Sequence, residues 1–318
     1  MVKIAVAAPG QVAREIIEGL VATGKHEITT LARRDLLPEE IVKGTTPVKV
    51  DFHKHEELVK ALQGVHTVLS FVAPHNDPEA TAQKTLIDAA IQAGVKRFAP
   101  SEWTVSRFTH IQWNASKLLI RDYLEEKNKN GKVIEYCLFQ PGLFTDYHVN
   151  ENINKHLQTN DFLPINFANR RLLAPGSLEP RFTATTIRDV VNIVVKAVEY
   201  EGEWPKIGGI AGETLSLAQE LAIGEKIRGK KFDVEFVDVE NLRKGEYNGS
   251  WVKPLEHPSL RDLDEETRAA FSKMAFRGFL LALADGDMVV SDEWNRIFPD
   301  YKFTGVEEFV SKFWAGKP

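Results

Sequence analysis

Through the first 140 residues, short β-rich runs alternate with longer amphipathic segments, and that alternation leaves few architectures open. Strand-like runs at Lys3–Ala7, His26–Ala32, Val48–Asp51, Thr67–Val72, Arg97–Pro100 and Val133–Phe139 are separated by helical patterns at Val12–Thr23, Glu56–Leu62, Ala80–Ala93 and Ser116–Asn128. Strands that alternate with helices pair in parallel, and right-handed crossovers then cover both faces of the sheet. The expected fold is α/β, a doubly wound parallel sheet with ligands outside the carboxyl ends of its strands. After Gln140 the pattern loosens, with Pro141, Gly142, an Asn-rich stretch at Asn150–Asn154 and apolar segments broken by Pro164, Pro175 and Pro180. Helices at Ile187–Tyr200, Ser216–Arg228, Glu265–Ala284 and Gly305–Trp314, and strands at Ile207–Ala211 and Phe232–Val237, follow. No repeat or low-complexity tract marks a linker. A smaller, interleaved α+β substrate domain is therefore expected: residues 1–148 bind the nucleotide, 181–212 return to that domain, and 149–318 mainly serve the substrate.

The opening Lys3-Ile-Ala-Val-Ala-Ala-Pro-Gly-Gln-Val-Ala-Arg14 is how a dinucleotide fold begins, a strand running through a glycine turn into a helix whose N-terminus meets the phosphates. Of the usual three glycines only Gly10 is present. Ala7 and Ala13 flank it, Pro9 supplies no N–H, and Pro9 also biases Ala8 toward extended backbone. A rebuilt turn would offer the N–H groups of Gly10, Gln11 and Val12, with the Gln11 amide as an extra donor.

Composition narrows the partners. The 318 residues are 43% hydrophobic and 27% charged with a net charge of −5, so nothing draws the chain to nucleic acid or an anionic membrane, and a small-molecule partner is expected. A single cysteine, Cys137, excludes an internal disulfide and a cysteine-based zinc site, and its apolar surroundings predict a buried thiol. His53-Lys-His55 has no third ligand in a fixed geometry, and no metal is expected. Without a signal-like leader or an apolar run of membrane length, the cytoplasm is the simplest location. A monomer and a homodimer both stay open.

The run Thr85-Leu-Ile-Asp-Ala-Ala-Ile-Gln-Ala-Gly-Val-Lys-Arg-Phe-Ala-Pro-Ser-Glu-Trp103 is more distinctive than the opening turn. It resembles the isoflavone-reductase-like, or NmrA-like, branch of the atypical short-chain dehydrogenases. There a helix ending in Ala-Gly-Val-Lys-Arg-Phe enters a strand closed by Pro-Ser-Glu. The likeness continues through Lys117, Gln140-Pro-Gly-Leu-Phe144, Thr183-Ala-Thr-Thr-Ile-Arg-Asp-Val190 and the segment Gly212–Val237, and this chain is most similar to fungal members. The resemblance implies a Rossmann domain with a smaller C-terminal substrate domain, usually NADPH-dependent and reducing aromatic or phenylpropanoid-type compounds. The same branch holds regulators that bind the cofactor without turning anything over.

Within that frame, Arg33 and Arg34 follow the second strand where an arginine pairs the 2′-phosphate of NADP, favouring NADPH over NADH. By the resemblance, Lys117 is the active-site lysine. It either holds the nicotinamide ribose or, with its pKa lowered by desolvation, passes a proton to the substrate. Ordinary short-chain enzymes carry Tyr-x-x-x-Lys, but this chain reads Trp113-Asn-Ala-Ser-Lys117, and an indole cannot donate that proton. The donor must be Lys117, a hydroxyl such as Ser101 or Ser116, or water. Ser101 and Glu102 stand at the mouth of the crevice, with Glu102 orienting Lys117 or a substrate hydroxyl, or acting structurally as a cap. Phe71, Val72, Ala73 and Pro74 close the fourth strand, where a cofactor is lined. Gly142 and Phe144 follow the sixth strand, where an aromatic ring either packs on the nicotinamide or simply joins the core. Asp189 reads as a helix-start residue. Segments Leu143–Phe167 and Arg261–Asp285 are expected to shape the pocket.

Two function classes follow. One is an NADPH-dependent reductase of an aromatic, enone or benzylic small molecule. The other is a non-redox protein on the same scaffold: a cofactor-sensing regulator, or an isomerase or cyclase. Lys117 favours the first class, and the altered turn favours the second.

Overall fold

The structure, a computed structural model, describes residues 1–149, 151–158, 163–252, 255, 260 and 263–317. Strands Val2–Ala7 (β1), His26–Ala32 (β2), Thr46–Lys49 (β3), Thr67–Ser70 (β4), Arg97–Ala99 (β5) and Glu135–Tyr136 (β6) form a parallel sheet in the order β3-β2-β1-β4-β5-β6. Helices Gln11–Ala22 (α1), His55–Ala61 (α2), Thr81–Gln92 (α3) and Ser116–Asn128 (α4) make the crossovers. β1 shows why both faces are covered. Its Ile4 and Val6 enter one core with Ile16, Ile17 and Leu20 of α1, while Ala5 and Ala7 enter another with Leu58, Leu86 and Ile120 of α2, α3 and α4. A stretch buried on both sides must be apolar, as Ile4–Ala7 is, while Lys3 stays at the exposed start of the strand. The sheet grows outward in both directions from β1 and β4, so their carboxyl ends diverge and leave a crevice between them.

The sequence predicts one strand over Val133–Phe139, and the structure breaks it at Cys137. The Cys137 N–H still reaches the Phe98 carbonyl at 3.2 Å, but Leu138 donates to Lys206 O, so Leu138–Gln140 (β7) takes a new partner. That partner is Ile207–Gly209 (β12), and helix Ile187–Glu199 (α5) packs on α1 just before it. Short strands Leu143–Phe144 (β8), Arg181–Thr185 (β11) and Glu213–Ser216 (β13) form a second sheet. Ile165–Asn166 (β9), Arg171–Pro175 (β10) and Asp233–Val237 (β14) form a third. Helices Leu217–Arg228 (α6), Val239–Arg243 (α7), Glu265–Ala284 (α8) and Val306–Trp314 (α10) enclose a core centred on Phe167, Phe276 and Leu280, while Glu293–Ile297 (α9) seats Trp294 in the core under α1 and α5.

Local chemistry fixes the helix ends. Ser216 and Gln219 close a reciprocal capping box on α6, and Gly229 ends it at φ 63°. Asp189 donates its N–H to Thr186 Oγ1 and receives the Tyr301 hydroxyl at 2.6 Å and the Thr304 N–H at 3.0 Å, so it begins α5 and ties down the chain before α10. Cys137 is fully buried, and that burial pushes its thiol well above the usual range.

Candidate functional site

Lys117 lies in the first turn of α4, 6% exposed, with its ammonium folded back onto the end of β5. Nζ donates to the carbonyl oxygens of Ser101 at 2.8 Å and Glu102 at 2.6 Å. Burial lowers its pKa from 10.5 to about 8; the Glu102 charge opposes that shift and the Arg121 charge adds to it. A neutral amine has two N–H groups, both spent here, and a lone pair to spare. The ammonium has a third N–H, which is the proton available to a neighbour.

Glu102, 1% exposed, does not orient Lys117 through its carboxylate. The Arg121 guanidinium binds it twice, at 3.0 and 2.6 Å, and only the backbone carbonyl of Glu102 meets the lysine. Ser101 has both backbone groups committed, its N–H to Gln83 Oε1 at 2.7 Å and its carbonyl to Lys117. Gln83 also receives the Ser70 hydroxyl, so one buried amide joins the ends of β4 and β5. Arg121 and Gln83 escape the sequence reading. The available signal was a glutamine on the apolar stripe of α3 beside Leu86, Ile87 and Ala90.

The turn after β1 departs from expectation at Ala8, which sits at φ 57° and not in extended backbone. Its N–H is held by Leu31 O at 2.8 Å and its carbonyl accepts from Gly10 N–H at 2.8 Å; those two bonds override the bias from Pro9. Gly10 N–H is thereby spent inside the bend and is not offered to a ligand. What the turn does offer is one step along. Among the described residues the N–H groups of Gln11, Val12 and Ala13 have no partner, and a Cβ added at Gly10 would meet nothing within 4 Å. The Gln11 side chain accepts from Gln158 N–H at 3.2 Å, while Glu15 Oε1 takes the N–H groups of His156 and Leu157. A segment from beyond β8 is thus strapped along α1 beside its free end.

Past β2, the two predicted arginines differ. Arg34 is clamped by Glu40 through contacts of 2.6 and 2.7 Å, and that guanidinium holds the Glu40 carboxyl down at about 2. Among the described residues Arg33 is exposed and makes no hydrogen bond or ion pair. Arg14, one turn into α1, adds a third guanidinium whose Nε is buried and has no partner among the described residues. An open cavity of about 240 Å³ lies nearby, lined by Arg34, Asp35 and Lys49 with Ile41, Pro47 and Val48.

At the other strand ends the crevice is floored by rings. Phe71 stacks on Trp103 at 4.5 Å and 8°, and Trp103 stacks on Phe139 at 5.2 Å and 5°. Trp103 adopts φ 45° and donates its indole N–H to Ser70 O at 2.8 Å, bridging β4 to β5. Val72 is buried among α2 and α3 residues, and Ala73 leads into a single turn of 3₁₀ helix, Pro74–Asn76. Gly142 packs the chain and does not face the crevice: it has φ 74°, and a Cβ there would overlap the Thr183 carbonyl oxygen of β11. Phe144 is 6% exposed, pairs with β11 and meets Tyr147 edge-on at 5.6 Å, a core position. Trp113 lies against Phe271 of α8, 6.4 Å between ring centres. Of the segments expected to shape the pocket, residues 150, 159–162 and 261–262 lie outside the described residues. Among the described residues no cluster of histidine, cysteine and carboxylates has metal-binding geometry, and no helix is long and apolar enough to cross a membrane.

Comparison with known proteins agrees with this architecture. The chain is similar to the protein named oxidoreductase swnN of Metarhizium robertsii, 23% identical with 100% of this chain and 98% of the relative covered. Its fold is similar to that of an isoflavone reductase, at TM-score 0.70 and 19% identity over 98% of this chain and 99% of that one. It is also similar to the Citrobacter sp. triphenylmethane reductase solved with NADP(H), at TM-score 0.67 and 18% identity over 98% and 99%. The sequence profile described as the NmrA-like family matches residues 2–310, and the chain belongs to that family.

Proposed function

We propose that this chain is an NADPH-dependent reductase of a small, mostly apolar molecule of the aromatic, enone or benzylic kind. One observation carries the reading: a buried lysine with its pKa lowered to about 8, two of its N–H groups fixed on backbone carbonyls, at the carboxyl end of β5. A lysine that was merely structural would gain more from a carboxylate partner, and here the nearest carboxylate is taken by Arg121.

The residues fit the cofactor at three points. The unpartnered N–H groups of Gln11, Val12 and Ala13 suit a pyrophosphate, with open space above Gly10 for close backbone approach. Arg33 suits a 2′-phosphate. The apolar floor of Phe71 and Trp103 suits a planar ring and keeps water out. When bound, NADPH supplies a hydride. Lys117 then donates the proton of its third N–H to the substrate atom that gains charge, and the Ser101 and Glu102 carbonyls keep Nζ in place while it does so. The names of the relative and of the fold neighbours, an oxidoreductase and two reductases, support this class of chemistry.

The bend at Ala8 to Gly10 favours the second reading, a member that uses the pocket without hydride transfer, because one of the expected phosphate donors is spent internally. NADPH oxidation over a panel of aryl enones, quinones and benzylic ethers decides between them. Turnover that falls about 10²-fold or more in Lys117→Met supports the reductase, that being the usual contribution of a positioned proton donor. Binding of NADPH with no oxidation of it across the panel supports the second reading.

A further inference from the structure

Away from the crevice, the core under α6 and α10 holds a buried ionisable pair that the reaction above does not use. His148 closes the 3₁₀ turn Thr145–His148 after β8. Its Nε2 is 2.7 Å from Glu220 Oε1 on α6, and its Nδ1 is 2.8 Å from the Thr145 carbonyl oxygen. The two side chains are 0% and 2% exposed. A carbonyl only accepts, so Nδ1 carries a proton. The contact between Nε2 and Oε1 needs one more, and the pair is neutral overall whichever atom holds it.

Among the described residues Glu220 Oε2 has no hydrogen-bond partner, and neither has Thr145 Oγ1. Glu220 also lines a seam whose other walls are apolar, Leu143, Pro164, Phe182, Phe279 and Leu283 among them. The seam is closed by its own packing, too tight to admit a water molecule. Leu143 follows Gly142 and opens β8. Phe279 and Leu283 share a core with Phe108, whose ring centre is 6.0 Å from Lys117 Nζ. The seam and the ring beside the lysine thus belong to one apolar core, and Glu220 brings into the seam an acceptor that is unpaired among the described residues.

We propose that this seam is the inner end of the substrate site, where Glu220, oriented by His148, accepts a hydrogen bond from a neutral hydroxyl or N–H group on an otherwise apolar molecule. A buried acceptor without a donor is costly, and a ligand that opens the seam and supplies one removes that cost. Neutrality follows from the pair. An ammonium would bring a charge with nothing to balance it, and a carboxylate would set its oxygens against Oε2. The inference rests on the reductase reading for what becomes of the bound molecule, but binding is measured without cofactor.

The test is calorimetric titration of the whole protein with toluene, p-cresol, benzylammonium and benzoate. p-Cresol should bind about 10-fold more tightly than toluene, the ratio that one hydrogen bond of about 1.4 kcal/mol gives, and the charged probes more weakly than either. Glu220→Gln, which can turn its NH₂ to His148 and still present an oxygen, should keep the preference. The double variant His148→Phe with Glu220→Met replaces the pair without leaving an orphan charge, and should bind p-cresol and toluene alike. A preference that survives in the double variant, a charged probe binding best, equal binding of p-cresol and toluene by the wild type, or no binding of any probe would overturn the proposal. Ligand binding as described together with a failure to oxidise NADPH would reject the reductase reading alone.

Discussion

Raising the pH should stabilise the fold through Lys117, and the size of the effect follows from its burial. Its pKa is lowered from 10.5 to about 8, chiefly by desolvation of the charged form. Below about pH 8 the folded and unfolded chains both carry the proton, and the folded state bears the whole cost of burying the charge. Above that point the folded chain releases the proton while the unfolded chain keeps it to about 10.5, so unfolding becomes harder by up to about 1.4 kcal/mol per pH unit. Between about pH 7 and pH 10 the gain is about 2 to 3 kcal/mol. Other groups titrate in this range, so the measurement is a difference. Urea unfolding of wild type and Lys117→Met is followed at several pH values, and the stability of the variant is subtracted. The methionine fills similar space but cannot titrate, and the two carbonyls it leaves without a donor impose a cost that does not change with pH. The difference should rise with pH. A difference that stays flat within about 0.5 kcal/mol would mean that Lys117 titrates near 10.5 and is not the tuned group of this account.

Ala8→Gly should stabilise the protein by about 1 kcal/mol in the same urea assay, because an L side chain at φ 57° carries strain that glycine does not. Gly142→Ala should destabilise it by about 3 kcal/mol or more and lower its thermal midpoint, since φ 74° and the Thr183 carbonyl both oppose a side chain. Arg33→Ala should weaken NADPH by about 1.5 to 3 kcal/mol in a fluorescence titration and leave NADH almost unchanged, the range for a charged hydrogen bond. Glu40→Gln should strengthen NADPH binding by releasing Arg34 from its clamp.

The doubly wound sheet was legible because its central strands bury both faces, as β4 does throughout, and each crossover helix buries one, so the period switches between strand and helix with every element. His26–Ala32 and Ser116–Asn128 have the same ends in sequence and structure for that reason. The region beyond Gln140 was less legible. β8 and β9 are two-residue pairings, too short to show a period, and are held by partners more than 20 residues away or by antiparallel neighbours across a loop. Lys117 was found through the motif around it, but its backbone partners were not, because a carbonyl acceptor leaves no mark on a side-chain pattern. The same limit hid the Gly10 N–H bond to Ala8. Arg121, which takes the carboxylate expected to serve Lys117, is one helical turn further along α4 and reads in sequence as an exposed charge. Its 21% exposed side chain and two short contacts to Glu102 come from the way α4 packs over the end of β5.

The claim on which the account turns is that the free end of α1 and Arg33 together hold a phosphorylated nicotinamide cofactor. Parallel calorimetric titrations with NADPH and NADH test it most directly. One-to-one binding of NADPH about 10-fold or more tighter than NADH is predicted, with the difference weakening as salt screens the phosphate. Equal affinities, or no heat at about millimolar NADPH, would contradict it.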